Sequence, residues 1–159
     1  MRLRNFQLST LNSKGMIFAT AGGMKERSFA IIKPDAVAAR KQGKIIDALL
    51  AEGFDIVEMR QLRLDRPSAE RFYAVHAGKS FYGRLVDFIT SGPVVALQVE
   101  GEDAVGRLRE FVGVTNPRLA AKGSLRRRFG TSTLHNAIHA SDSLGNAALE
   151  ASQFFAQHP

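Results

Sequence analysis

The chain has 159 residues, 45% apolar and 23% charged, the make-up of one compact domain with its own core and too little length for two. It has no cysteine, which excludes disulfides, thiolate catalysis and cysteine-held metals, and no apolar run long enough to span a membrane as a helix. The formal net charge of +7 suits phosphorylated small molecules, nucleic acid or an anionic surface without choosing among them.

Residues 1–23 carry Arg2, Arg4 and Lys14, no acid, and a closing Gly22-Gly23. They lack the apolar stretch of a secretory signal and have some character of an organellar transit peptide. An upstream in-frame extension ahead of Met24 is the preferred reading. The expectation is a poorly ordered extension over residues 1–24, a single domain over residues 25–159, and a cytoplasmic location.

Phe29 to Ile32 is a short apolar run that reads as a buried strand starting near Arg27. Pro34 ends it and holds Lys33 extended, so a cation sits at a strand end. Val37, Ile45, Ile46, Leu49 and Leu50 make a helical stripe over residues 36–51, with Gly53 as its stop. Residues 54–64 alternate apolar and charged side chains, the pattern of a half-buried strand. Asp65 and Pro67 open a helix carrying Phe72, Tyr73 and His76. A further helix is expected over residues 81–89, a buried strand over residues 94–99 and a helix over residues 102–111.

Residues 113–134 read as a long irregular segment, which in a domain of this size is functional or disordered. A short extended piece then reaches His139. The polar run Ser141-Asp142-Ser143 opens a last helix over residues 144–155. Interleaved strands and helices without a repeat suggest an α+β fold. It is a ferredoxin-like, mainly antiparallel sheet flanked by helices, with the helices on one face.

Seven polar residues fall at element ends or beside the long loop: Lys33, Tyr73, Arg109, Thr115, Arg126, Asn136 and His139. Three cations neutralise phosphate oxygens, arginine with a matched fork. A hydroxyl, a phenol and an amide add hydrogen bonds, and a neutral imidazole is a nucleophile. This is the inventory of a triphosphate site. Neither G-x-x-x-x-G-K-[ST] nor G-x-G-x-x-G occurs, which argues against a P-loop or Rossmann enzyme. His76, His135 and His158 belong to no motif and read as structural or exposed.

The segments Ala30-Ile-Ile-Lys33-Pro-Asp-Ala-Val37, Thr90-Ser-Gly-Pro-Val-Val95 with Glu100-Gly101, Thr115-Asn-Pro117, Gly123-Ser-Leu-Arg126 and Asn136-Ala-Ile-His139-Ala-Ser-Asp-Ser143 resemble, in order and spacing, those of the nucleoside diphosphate kinases. The resemblance runs from Lys25 to Phe155. It implies ping-pong transfer of the γ-phosphoryl group of ATP, or another nucleoside triphosphate, to nucleoside diphosphates through a phosphohistidine at His139. It implies that Lys33 contacts the transferring phosphoryl and the ribose, and that Tyr73 lies beside the phosphorylated ring. Arg109, Thr115 and Arg126 would hold phosphates, Asn136 the ribose, and Phe81 would stack on the base. Glu150 would orient the imidazole with support from Ser141. Mg²⁺ would ride on the nucleotide phosphates without direct protein ligands. The resemblance also implies a homotetramer or homohexamer.

The sequence departs from the family pattern at several points. Ala140 replaces a glycine; it is strained if that position needs φ > 0, and otherwise adds a methyl near the phosphate. Lys79-Ser80-Phe81-Tyr82 replaces an Arg-Pro-Phe-Phe-like run. Arg127-Arg128 adds charge beside Arg126, Thr133 stands at a normally apolar base-pocket wall, and Val75 stands where an acid is common. Two alternatives follow: a basic nucleic-acid-binding module using residues 2–14 and 126–128, and a family member with catalysis weakened at Ala140.

Overall fold

The computed structural model describes residues 24–155; the expectations for residues 1–23 and for His158 lie outside the described residues. The sheet is built on β1 (Lys25–Ile32) and β3 (Val94–Glu102), which pair antiparallel along their whole length, from Lys25 opposite Glu102 to Ile32 opposite Val95. The short β4 (Ile138–Ala140) pairs antiparallel with the outer side of β1, and β2 (Asp55–Leu62) with the outer side of β3. The spatial order is therefore β2-β3-β1-β4, a four-stranded antiparallel ferredoxin-like sheet.

Strand alternation divides the core in two. Ala30 and Ile32 of β1, with Val95, Leu97 and Val99 of β3, face one layer of helices. That layer holds α1 (Pro34–Ala38), α2 (Gln42–Ala51), α5 (Ala104–Val112) and α6 (Leu125–Phe129). Phe29 and Ile31, with Val94 and Ala96, face the other layer. There lie α3 (Arg66–Phe72), α4 (Tyr82–Thr90) and α7 (Leu144–Phe155). Helices thus cover both faces rather than one. Both central strands are apolar on both sides, which is what such coverage demands and what the continuous run Phe29–Ile32 encodes.

Several elements differ from expectation, among them the helix opened by Asp65, which ends at Phe72, short of Tyr73 and His76. The helix expected over residues 36–51 is broken, with Arg40 at φ 57° between α1 and α2. No large apolar side chain lies between Val37 and Ile45, so no stripe holds that stretch against the sheet. The strand expected over residues 94–99 runs on to Glu102, since Arg27 and Lys25 of β1 pair with Glu100 across the ladder. The segment 113–134 contains α6, capped by Ser124 Oγ accepting from the Arg127 amide. Strand β2 is mostly exposed rather than half-buried, with Val57 40% and Met59 56% accessible, because it is the sheet edge and a bulge shifts its register between Ile56 and Glu58. Gly53 ends α2 at φ 88°, as the stop signal requires.

Candidate active site

His139 is the middle residue of β4. Its neighbours Ile138 and Ala140 join the α5 side of the core, so period 2 turns the imidazole to the α3–α7 side. There it meets the Phe72 ring edge-on at 5.2 Å and Glu150 of α7. Nε2 of His139 lies 3.0 Å from Glu150 Oε2. The same carboxylate oxygen accepts a hydrogen bond from Ser141 Oγ, and the Ser141 amide donates to the Phe29 carbonyl of β1. With the Nε2 proton directed at a carboxylate, Nδ1 keeps its lone pair.

Lys33 sits where β1 ends and α1 begins. Its Nζ donates to Asn136 Oδ1 at 2.7 Å, and it is buried. Burial, then the nearby Arg126, lowers its pKa to about 8, against a smaller opposing pull from Asp35. Asn136 Nδ2 in turn donates to the backbone carbonyls of Thr115 and Thr133. One amide thus ties the β1 lysine to both ends of the long loop.

Arg126 lies on α6, with Nε and one terminal nitrogen donating to the Ile138 carbonyl and the other to the Gly113 carbonyl. Burial and the neighbouring Arg109 lower its pKa to about 10. Arg109 on α5 reaches the Ala140 carbonyl at 3.4 Å, and a small cleft is lined by Arg109, Arg126, Gly113 and Ala140. Two guanidiniums therefore converge on the backbone of the strand that carries His139. Tyr73 ends α3. Its hydroxyl is buried without a hydrogen-bond partner among the described residues, and burial, then Glu150, pushes its pKa up. Phe81, by contrast, is 41% exposed at the start of α4.

The structure brings Lys33, Asn136 and the Thr115 backbone into one bonded network, His139, Glu150 and Ser141 into another, and sets Arg109 and Arg126 on the carbonyls of β4. Phe81 stands apart, linked to His139 only through a run of rings. The roles of two residues were not read from the sequence. Asp35 Oδ2 accepts from the Ala137 amide at 3.0 Å, which holds Ala137 at φ 71° between Asn136 and His139. Its signal was its place in the Lys-Pro-Asp segment. Arg127, which read as surplus charge, donates to the Arg118 carbonyl at 2.8 Å and fastens the loop; no pattern in the sequence marks that bond.

Ala140 carries no strain: it is absent from the positive-φ residues, pairs with Ala30, and packs its methyl into the α5-side core.

A family model described as Nucleoside diphosphate kinase matches residues 26–159. The nucleoside diphosphate kinase of Methylobacterium sp. (strain 4-46) is 48% identical over 132 residues, covering 83% of this chain and 94% of that relative. That of Helicobacter pylori (strain P12) is 47% identical over 133 residues, covering 84% and 97%. Among solved structures, a halophilic nucleoside diphosphate kinase from Halobacterium salinarum in complex with CDP superposes with a TM-score of 0.82 at 38% identity, covering 84% of this chain and 90% of that one. The Aquifex aeolicus nucleoside diphosphate kinase gives 0.80 at 44% identity, covering 83% and 96%. The chain belongs to the nucleoside diphosphate kinase family. It is accordingly an enzyme, a phosphotransferase of the kinase class.

Proposed function

We propose that this chain moves the γ-phosphoryl group of ATP, or another nucleoside triphosphate, to a nucleoside diphosphate through a phosphohistidine on His139. The observation that carries the reading is the 3.0 Å contact between His139 Nε2 and Glu150 Oε2, which frees Nδ1 as the nucleophile. In the first half-reaction an Nδ1–P bond forms as the bond from phosphorus to the bridging oxygen breaks, and the nucleoside diphosphate leaves with that electron pair. In the second, a terminal oxygen of the acceptor's β-phosphate attacks the phosphohistidine and Nδ1 regains its pair. One site serves both halves.

Phosphoryl transfer asks the protein mainly for position and charge. Lys33, Arg109 and Arg126 supply positive charge to the phosphate oxygens, with Thr115 adding a hydroxyl. The Tyr73 hydroxyl, buried and without a partner among the described residues, is a donor held in reserve for the transferring group. Asn136 Oδ1, already accepting from Lys33, has a second lone pair for a ribose hydroxyl. Phe81 offers a face to any base, which favours broad nucleotide use. The phosphate-facing side chains are cations rather than carboxylates, a donor set suited to phosphate oxygens. Mg²⁺ accordingly belongs with the nucleotide, where it supplies further charge neutralisation.

Self-association as a homotetramer or homohexamer belongs to the same reading. The edge strand β2 exposes Val57 and Met59, and α2 exposes Leu50, beside a strand edge that no other strand pairs among the described residues. For the arginine run, Arg126 and Arg127 are bonded to backbone carbonyls within the fold, which removes much of the motive for a separate nucleic-acid surface there. Initial-rate kinetics with ATP and GDP as the pair test the reaction. Parallel double-reciprocal lines support two half-reactions through a phosphoenzyme; intersecting lines contradict them.

A further inference from the structure

His76 is a histidine that the proposed transfer does not use. It closes the 3₁₀ turn Ala74–His76, and its ring lies between two others. Its centroid is 6.1 Å from that of Tyr73 and 5.6 Å from that of Phe81. Beyond Tyr73 the run continues to Phe72 at 4.8 Å and from Phe72 to His139 at 5.2 Å. Contacting rings therefore connect the nucleophile to the exposed Phe81 face. Lys79 closes the arrangement, with Nζ 3.3 Å from His76 Nδ1 and 5.8 Å from the Phe81 centroid. The turn itself is bonded in series. The His76 amide donates to the Tyr73 carbonyl, the Lys79 amide to the His76 carbonyl and the Tyr82 amide to the Lys79 carbonyl.

An ammonium has donors only, so His76 Nδ1 must accept. The ring that fits this contact is neutral, with its proton on Nε2. Resting on the kinase reading, we propose that His76 is a positioning residue for the nucleotide base: its neutral ring, held by Lys79, braces Phe81 at a set distance from His139, and its protonation releases that platform. A protonated His76 would put two donors and two like charges face to face at Lys79. The side chain of Lys79 would then swing away from the Phe81 ring as well. The groups that act on His76 are Lys79 from the same loop and His139 from β4, with the Tyr73 phenol stacked beside it. Burial first, then Lys79 and His139, hold its pKa below the ordinary 6.5, so the brace is in place at neutral pH and loosens as the solution becomes acid.

Equilibrium binding tests this, using ADP and, as a ligand without a base, inorganic pyrophosphate, at pH 7.5 and pH 5.5. The proteins are the wild type, His76→Gln, whose amide oxygen accepts but does not titrate, and Lys79→Met. Loss of one aromatic brace corresponds to roughly three- to tenfold in affinity. The wild type is expected to lose that much more ADP affinity on acidification than His76→Gln, while pyrophosphate affinity changes equally in both. Lys79→Met is expected to bind ADP more weakly already at pH 7.5, with a smaller further loss. In turnover, the His76→Gln difference at pH 5.5 should fall on KM for the nucleoside diphosphate and spare kcat. Equal pH dependence of ADP binding in wild type and His76→Gln overturns this inference alone. Absence of ADP binding by the wild type overturns the kinase reading and the inference with it.

Discussion

His139 Nε2 and Glu150 Oε2 are 3.0 Å apart, joined from β4 to α7 across eleven residues of chain, and Ser141 Oγ donates to the same carboxylate oxygen. Glu150 thereby favours the tautomer in which Nδ1 keeps its lone pair, the nitrogen proposed as nucleophile, and Ser141 fixes which way the carboxylate points. A hydrogen bond to a charged group is worth about 1.5–3 kcal/mol. Glu150→Gln is therefore expected to lower kcat roughly 10- to 100-fold while leaving the melting temperature nearly unchanged, measured by steady-state turnover beside thermal unfolding.

Tyr73 offers a sharper separation of stability from activity. Its hydroxyl is buried and has no partner among the described residues, so removing it relieves a desolvation cost instead of breaking a bond. Tyr73→Phe should be as stable as the wild type or more stable by about 1 kcal/mol, and should turn over more slowly. Denaturant unfolding and turnover on the same preparation check both.

Lys33 sets an alkaline limit. Burial lowers its pKa to about 8, so the amine begins to lose its charge near that pH and, with it, the phosphate contact proposed for it. KM for nucleotide should rise above pH 8, and the Lys33→Met variant should show a high KM without that rise. The sign for stability is opposite. The folded-state pKa is depressed, so between pH 8 and the ordinary lysine value the unfolded chain binds more protons. The folding penalty of this lysine is full below pH 8 and is relieved as the pH climbs.

At Ala140 the expectation from the structure is stability without kinetic gain. Its backbone is extended in β4 and its methyl is buried at 5% exposure. Ala140→Gly should cost about 1 kcal/mol in unfolding free energy, from backbone entropy and lost burial. It should leave kcat where it was. A faster Ala140→Gly enzyme would instead mean that the alanine weakens catalysis.

Much of the fold was legible because its signals are local. Phe29–Ile32 announced a buried strand, Pro34 and Gly53 marked ends, and Asp65 capped α3 by accepting from the Ser68 amide. For β4 the extended piece reaching His139 was legible but its pairing with β1 was not, since that partner is distant in sequence. The break at Arg40 was overlooked although its cause, the lack of a large apolar side chain between Val37 and Ile45, is local. Glu150 and Phe81 entered only through family resemblance: a carboxylate eleven residues past a histidine has no period of its own. Asp35 and Arg127 were missed for a related reason. Each acts on backbone far away in sequence, Asp35 on Ala137 and Arg127 on Arg118, and backbone partners leave no residue pattern to read.

The most direct measurement is phosphoenzyme formation. Wild type and His139→Ala are incubated side by side with γ-labelled ATP in the absence of acceptor, then denatured in acid and in alkali. The expected result is label on the wild type alone, stable in alkali, lost in acid, and discharged as labelled triphosphate when a nucleoside diphosphate is added before denaturation. A folded wild type that takes up no such label, or a His139→Ala variant that takes it up equally, would contradict His139 as the carrier of the phosphoryl group.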